Sequence, residues 1–176
     1  ANRLYVPPSF PTGAILINEV AWAGTAASAT DEWIELWNPG PEVIHLDGWV
    51  LTDDKDIHID LVGGVPGGSF ALLERTDDAT VADVPAHAVY SGALSDTGEP
   101  LRLLDPSGKE IDVVNRYAEA WPAGDSRGQL TMERVGDEWR TFVEDSGRAL
   151  DALGQMIFGT PGRVNSELAA RAISEA

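Results

Sequence analysis

From Ala14 onward the chain is a succession of short apolar runs cut by turn chemistry, and that punctuation constrains the fold more than any other feature. The runs "AILINEVAW", "EWIELW", "VIHLDGWVL", "IHIDL", "SFALLER" and "QLTMERV" are of strand length, and "NPGP", "GGVPGG" and "DPSG" between them are turn formers. Regular short runs of this kind predict an all-β sandwich or barrel. In "IHIDL", Ile57, Ile59 and Leu61 alternate with His58 and Asp60, as a strand with one wet face requires. "DPSG" puts Asp105, Pro106 and Gly108 where a type I turn favours them, which predicts a hairpin with Leu101 and Leu103 facing Ile111 and Val113. "GTPGRVNS" puts Pro161 and Gly162 at the centre of a type II turn.

The stretch "TDEWIELWNPG" makes both faces of one strand worth burying: Ile34 and Leu36 point one way, Trp33, Glu35 and Trp37 the other. The Trp face could meet the protein's own core, a partner chain or a ligand. Residues 136–158 follow no clear strand pattern, yet Trp139, Phe142, Leu150, Leu153, Ile157 and Phe158 need a surface to cover. The favoured expectation is that this segment lies over Trp33 and Trp37. The competing one is a carbohydrate-binding face in which Trp33, Trp37 or Trp121 stacks on sugar rings. Trp49, in "LDGWVL", is expected in the core.

The two ends read differently. Residues 1–13 carry Pro7, Pro8 and Pro11 and form an extended arm, compatible with the mature start of an exported chain. "SELAARAISEA" can make two or three helical turns, with Leu168, Ala169, Ala172 and Ile173 on one face. The expected organisation is a Pro-rich arm over 1–13, one β-sandwich domain over 14–166 and a short helical tail or linker over 167–176.

Charge narrows the partners. Lys and Arg number 12 against 29 Asp and Glu, a formal charge of −17, with the basic residues scattered. Neither nucleic acid nor an anionic membrane surface suits such a chain, because both are gripped by clustered Lys and Arg. No apolar run approaches the roughly 20 residues of a membrane span, so insertion is not expected. The absence of Cys rules out disulfides and leaves the compartment open.

Catalytic signatures are lacking. His45, His58 and His87 lie far apart in sequence, Ser69 has no nucleophile-elbow glycines, and no Gly-rich phosphate loop precedes a helix. Glu19, Glu32 and Glu35 are the candidates from which an acid–base pair could be drawn, without a His, Lys or Tyr associated with them. The expectation is no catalytic residue and no enzyme. "TDDKDIHID" gathers carboxylates without the Gly and distant Glu of an EF-hand, and reads as a solvated turn. The acidic balance permits divalent cations, but no metal or other cofactor is expected, with a Ca²⁺ site assembled from separate loops left open.

"ILINEVAW", "DEWIELWNPG", "HLDGWVLTDD", "PGGSFALLER", "YSGALSDTGEPLRLLDPSGKEIDVV", "WPAG", "LTMERV" and "GTPGRVNS", in that order, resemble the bacterial branch of the lamin-tail domain family over about residues 14–166. The resemblance implies an immunoglobulin-like β-sandwich without enzymatic activity, carried by exported or cell-surface bacterial proteins and used for binding or anchoring. It implies structural roles for Asn18, Glu19, Glu35, Asn38, Gly48 and Trp49, with Glu35 half-buried. Links of nuclear relatives to rods and chromatin do not carry over, since there is no heptad segment and the charge is negative. The resulting expectation is an interaction or structural module, extracellular or on a bacterial surface. Its sharpest form is a self-assembling filament subunit, in which Leu4, Tyr5 and Val6 of the arm add a strand to the next molecule or to another surface protein. The alternative is a carbohydrate-binding or targeting module of a larger secreted protein.

Overall fold

The computed structural model describes residues 15–143 and 149–166, and every element in it is a strand. In chain order these are β1 Leu16–Ala21, β2 Trp33–Trp37, β3 Ile44–His45, β4 Trp49–Thr52, β5 His58–Leu61, β6 Gly64–Val65, β7 Phe70–Arg75, β8 Ala88–Tyr90, β9 Leu101–Leu104, β10 Glu110–Val114, β11 Met132–Val135 and β12 Glu138–Thr141. They form a six-stranded sheet in the order β12-β11-β1-β2-β7-β8, a four-stranded sheet in the order β10-β9-β4-β5, and the small pair β3-β6. The fold is all-β, as the punctuated runs predict. The arm, with Leu4, Tyr5 and Val6, and the expected helical tail over 167–176 lie outside the described residues.

The two larger sheets close on one core. Ile17, Val20, Ile34, Leu36 and Leu73 of the six-stranded sheet meet Leu51, Ile59, Leu61, Leu101 and Leu103 of the four-stranded one. Strand β5 alternates as expected, with Ile59 and Leu61 buried and His58 and Asp60 exposed. Trp49 is a correction: it is half-buried at the margin of this core rather than inside it.

The β9–β10 hairpin turns at Asp105–Gly108, where the Gly108 N–H donates to the Asp105 carbonyl at 2.9 Å. Its register differs from the expected one. A bulge between Glu110 and Asp112 sets Val114 opposite Leu101 and Asp112 opposite Leu103, so Ile111 and Val113 do not face the leucines. One extra residue in a strand exchanges its faces, which is why alternation alone misplaced them.

The bulge has a use. Strand β11 pairs with β1 at Glu19 and Val20, leaving the Ile17 end of β1 without that ladder. Asp112 accepts from the Ile17 N–H at 2.8 Å, and Arg134 Nε donates to the Ile17 carbonyl at 2.7 Å. Arg134 Nη2 also donates to Asp112 at 2.6 Å, and its guanidinium lies 5.1 Å from the Trp139 ring centre. One buried ion pair thus ties β11 of one sheet to β10 of the other.

The outer face of the six-stranded sheet is buried as well. Ala21, Trp33 and Leu72 form a second core with Val81, Ala149 and Ile157, flanked by half-buried Val84. Strand β1 is therefore buried along its whole length, because segments from 80–84 and 149–157 roof the face that would otherwise be wet. Residues 136–158 divide their work: 138–141 form β12, Phe142 meets Phe158 edge to face, and Ala149 and Ile157 cover Trp33. Leu150 and Leu153, expected under cover, are exposed.

Candidate functional site

The outer face gathers carboxyls where an apolar roof would be expected. In the ladder Glu19 stands opposite Glu133 on one side and Glu35 on the other, so β11, β1 and β2 each contribute one acid to a single row. All three residues are fully buried. Antiparallel partners share a face, so the row follows from register once the strand order is fixed.

The segment after Phe158 closes over this row and supplies its donors. The Thr160 N–H donates to Glu19 Oε1 at 2.8 Å, as does Thr131 Oγ1 at 2.6 Å. Glu35 accepts from the Gly162 N–H and, at 3.2 Å, from Asn18 Nδ2. Glu133 accepts from Ser166 Oγ at 2.6 Å and from the Ser166 N–H. Asn165 Nδ2 reaches the Arg134 carbonyl at 2.8 Å, and its Oδ1 accepts from Asn18 at 3.0 Å. The type II turn is as the sequence predicts: the Arg163 N–H donates to the Thr160 carbonyl at 3.0 Å, and Gly162 has φ +76°. Gly159 is required by proximity, because a Cβ there would stand 2.7 Å from Glu19 Oε1.

Burial makes Glu19 and Glu35 weak acids. Burial pushes Glu19 well above its ordinary 4.5, and the neighbouring Glu133 and Glu35 push it further, against the hydrogen bonds from Thr131 and Thr160. Burial pushes Glu35 up to about 8, opposed by the donors on Gly162 and Asn18. Glu74, fully buried on β7, is raised to about 7 by burial while it caps the N–H groups of Thr80 and Val81. Glu32 is likewise raised to about 7 by burial, and it accepts from Leu94 N–H at 2.9 Å and from Arg75 at 3.1 Å. In each case the acid fastens a loop backbone to a strand.

A raised acid at the floor of a depression is the usual mark of a catalytic group. Glu35 does line a depression of about 270 Å³ with Phe70, Leu72, Val84, His87 and Gly162. Its two oxygens, however, are held by Asn18 and Gly162, and His87 Nε2 is bonded 2.7 Å away to the Val62 carbonyl. Neither is placed to take a proton from a substrate. Glu19 and Glu35 are brought together, whereas Glu32, also buried, lies apart with Arg75 and Leu94. Glu35, expected half-buried, is fully buried, because the 159–166 segment closes over it. Glu133 and Thr160 were not legible as partners; the only local signal is a lone Glu inside a run of β-formers, which "MERV" shares with "INEV".

The aromatic candidates separate. Trp33 is fully buried in the second core. Trp37 is half-buried and stacked on Phe70, with ring centres 6.3 Å apart and planes at 16°. Trp121 is half-buried too; it stacks on Trp22 at 6.2 Å and donates from Nε1 to the Ser95 carbonyl at 2.6 Å. Among the described residues, no group of three or more His, Cys, Asp or Glu side chains is placed to hold a metal ion.

No curated protein matches the chain. The family model for the Lamin Tail Domain matches residues 8–118, well over half of the sequence, and that family is a non-catalytic one. It starts inside the proline-rich arm and ends just past β10, so it takes in Glu19 and Glu35 of the buried row but neither Glu133 nor the closing turn. With an all-β fold, acids spent on fastening loops and a family match across most of the strands, the chain belongs to the lamin tail domain family.

Proposed function

We propose that this chain is a non-enzymatic, immunoglobulin-like interaction module of an exported bacterial protein, and that copies assemble by strand addition, with Leu4, Tyr5 and Val6 of one molecule pairing along β10 of the next. The observation that carries this reading is the edge at β10. Among the described residues β10 pairs with β9 alone, and Ile111 and Val113 are half-buried beside it. An unpaired strand edge offers a row of N–H and C=O groups to an extended segment. The other outer strand on that side, β12, carries Glu138 and Arg140 paired with each other, a charged edge of the kind that discourages pairing. Head-to-tail addition does not close on itself and builds a filament. Export and a surface location are carried by the family resemblance, since the Cys-free composition leaves the compartment open.

Sugar stacking is the second reading, and the Trp37–Phe70 pair favours it as a half-buried aromatic platform. Trp33 contributes nothing to it, having no exposed surface.

The absence of Cys makes the strand-addition reading directly testable. A Tyr5→Cys chain mixed with a Val113→Cys chain should give a mixed disulfide dimer on mild oxidation. If only like chains cross-link, or none do, the arm does not lie on β10.

A further inference from the structure

Leu16, Trp37 and Phe70 are register partners on β1, β2 and β7, and they stand in one row at the end of the six-stranded sheet. Trp37 shares the outer face with Trp33 and Glu35, so the row lies on that face. Trp37 and Phe70 are half-buried and stacked on each other. Leu16 is 2 % exposed, yet it belongs to neither of the two cores, so its cover comes from outside them. Past Phe70, the side chains of Leu72, Val84 and Pro85 continue the apolar strip along the depression of about 270 Å³.

The chain enters β1 at this row. Phe10 stands six positions before Leu16, in the apolar stretch "VPPSFPTGA". Neighbouring strands are about 4.8 Å apart, so Phe70 lies about 10 Å from Leu16 across the sheet, whereas six extended residues cover roughly 20 Å. In "FPTG", Pro11 is second and Gly13 fourth, the placement a type I turn favours, which lets the chain double back instead of running on past the sheet. Pro8 and Pro11 have φ fixed in advance, so ordering this stretch costs less than ordering a free chain. The lamin tail model begins at residue 8, so it counts Phe10 with the domain and leaves Leu4, Tyr5 and Val6 outside it.

We propose that residues 8–13 dock back on their own sheet, with the Phe10 ring against the Trp37–Phe70 pair. An aromatic ring suits that place, because it adds apolar area and meets two rings whose faces or edges it can pack on. The arm then has two parts: residues 8–13 belong to the sandwich as its cover over Leu16, and residues 1–7 project from it toward a neighbour. The docking is made within one chain, so it stands whether or not copies assemble. It also leaves sugars no platform on Trp37 and Phe70.

Photo-cross-linking of the full chain at low concentration tests this. With p-benzoylphenylalanine in place of Phe10, irradiation should join position 10 to the stretch around Trp37 or Phe70, and the product should keep the mass of a single chain. Cross-links that join two chains would put a second copy on this face and overturn the docking. So would cross-links that fall elsewhere in the chain, or none at all. A second measurement needs no probe: Phe10→Ala should lower the melting temperature by about 3 °C or more, as the loss of a packed contact does in a chain of this size, while removal of residues 1–7 leaves it unchanged. A Phe10→Ala chain that melts with the parent overturns the docking as well. Failure of strand addition would appear in the mass of the particle and would leave this cross-link in place.

Discussion

Replacing Trp33 by Ala should destabilise the protein by roughly 3 to 5 kcal/mol, the cost of emptying a large aromatic site in a packed core. Trp33 is the largest of the fully buried side chains and the centre of the second core, touching the roof formed by Val81, Ala149 and Ile157. With the indole gone, Leu72 and the two roofing segments lose their common partner. The Nε1 atom of Trp33 is buried without a hydrogen-bond partner among the described residues, so the ring works through its shape rather than its polar group. Trp33→Phe should therefore recover most of the loss. Urea unfolding of both variants at one pH reports the difference. Equal stability of the Trp33→Ala chain and the parent would mean that the outer face is not a core.

The second large effect is expected at the ion pair joining the sheets. Arg134→Met leaves Asp112 charged and largely enclosed and deprives the Ile17 carbonyl of its donor. Breaking one partner of such a buried pair costs roughly 3 to 5 kcal/mol, because the remaining charge is uncompensated. Adding Asp112→Asn to Arg134→Met should restore part of the stability, since an amide carries no charge and can still accept from the Ile17 N–H. A double-mutant cycle by urea unfolding would show that coupling. A loss below about 1 kcal/mol on Arg134→Met would place this pair among ordinary surface bridges.

These two sites show what could and could not be read in advance. Alternation fixed the faces of β5, and turn chemistry fixed the hairpin at Asp105–Gly108 and the turn at Thr160–Arg163, because both signals are local. The bulge in β10 carries no local sequence mark. It is stabilised by Arg134 and Ile17, which are distant in the chain, and so Ile111 and Val113 were expected opposite the leucines, where Asp112 and Val114 stand. The buried row was half legible. Glu19 and Glu35 stood out in the family pattern, but their meeting with Glu133 depends on the order β11-β1-β2, which no spacing along the chain reveals. The question raised by Trp33 and Trp37 has a divided answer for the same reason. Trp33 meets the protein's own later segments, whereas Trp37 meets Phe70 of the adjacent strand.

The acidic composition also gains a physical account. Among the described residues there is no helix element, so loops are tied down by side chains rather than by helix packing. Asp53 holds the N–H groups of Lys55 and Ile57, Asp151 those of Leu153 and Gln155, and Glu99 that of Ser95. Many of the acids are fasteners of local backbone, and their negative charge is a by-product of that role.

The central claim, that the module works by assembling with its own kind through the arm, is tested most directly by mass in solution. Light scattering across a range of concentrations should show the full chain growing into species much heavier than one molecule. A chain lacking residues 1–7, which keeps everything the family model matches, should remain a folded monomer with an unchanged melting transition. A full chain that stays monomeric at the highest concentrations, or a shortened chain that still assembles, would contradict it.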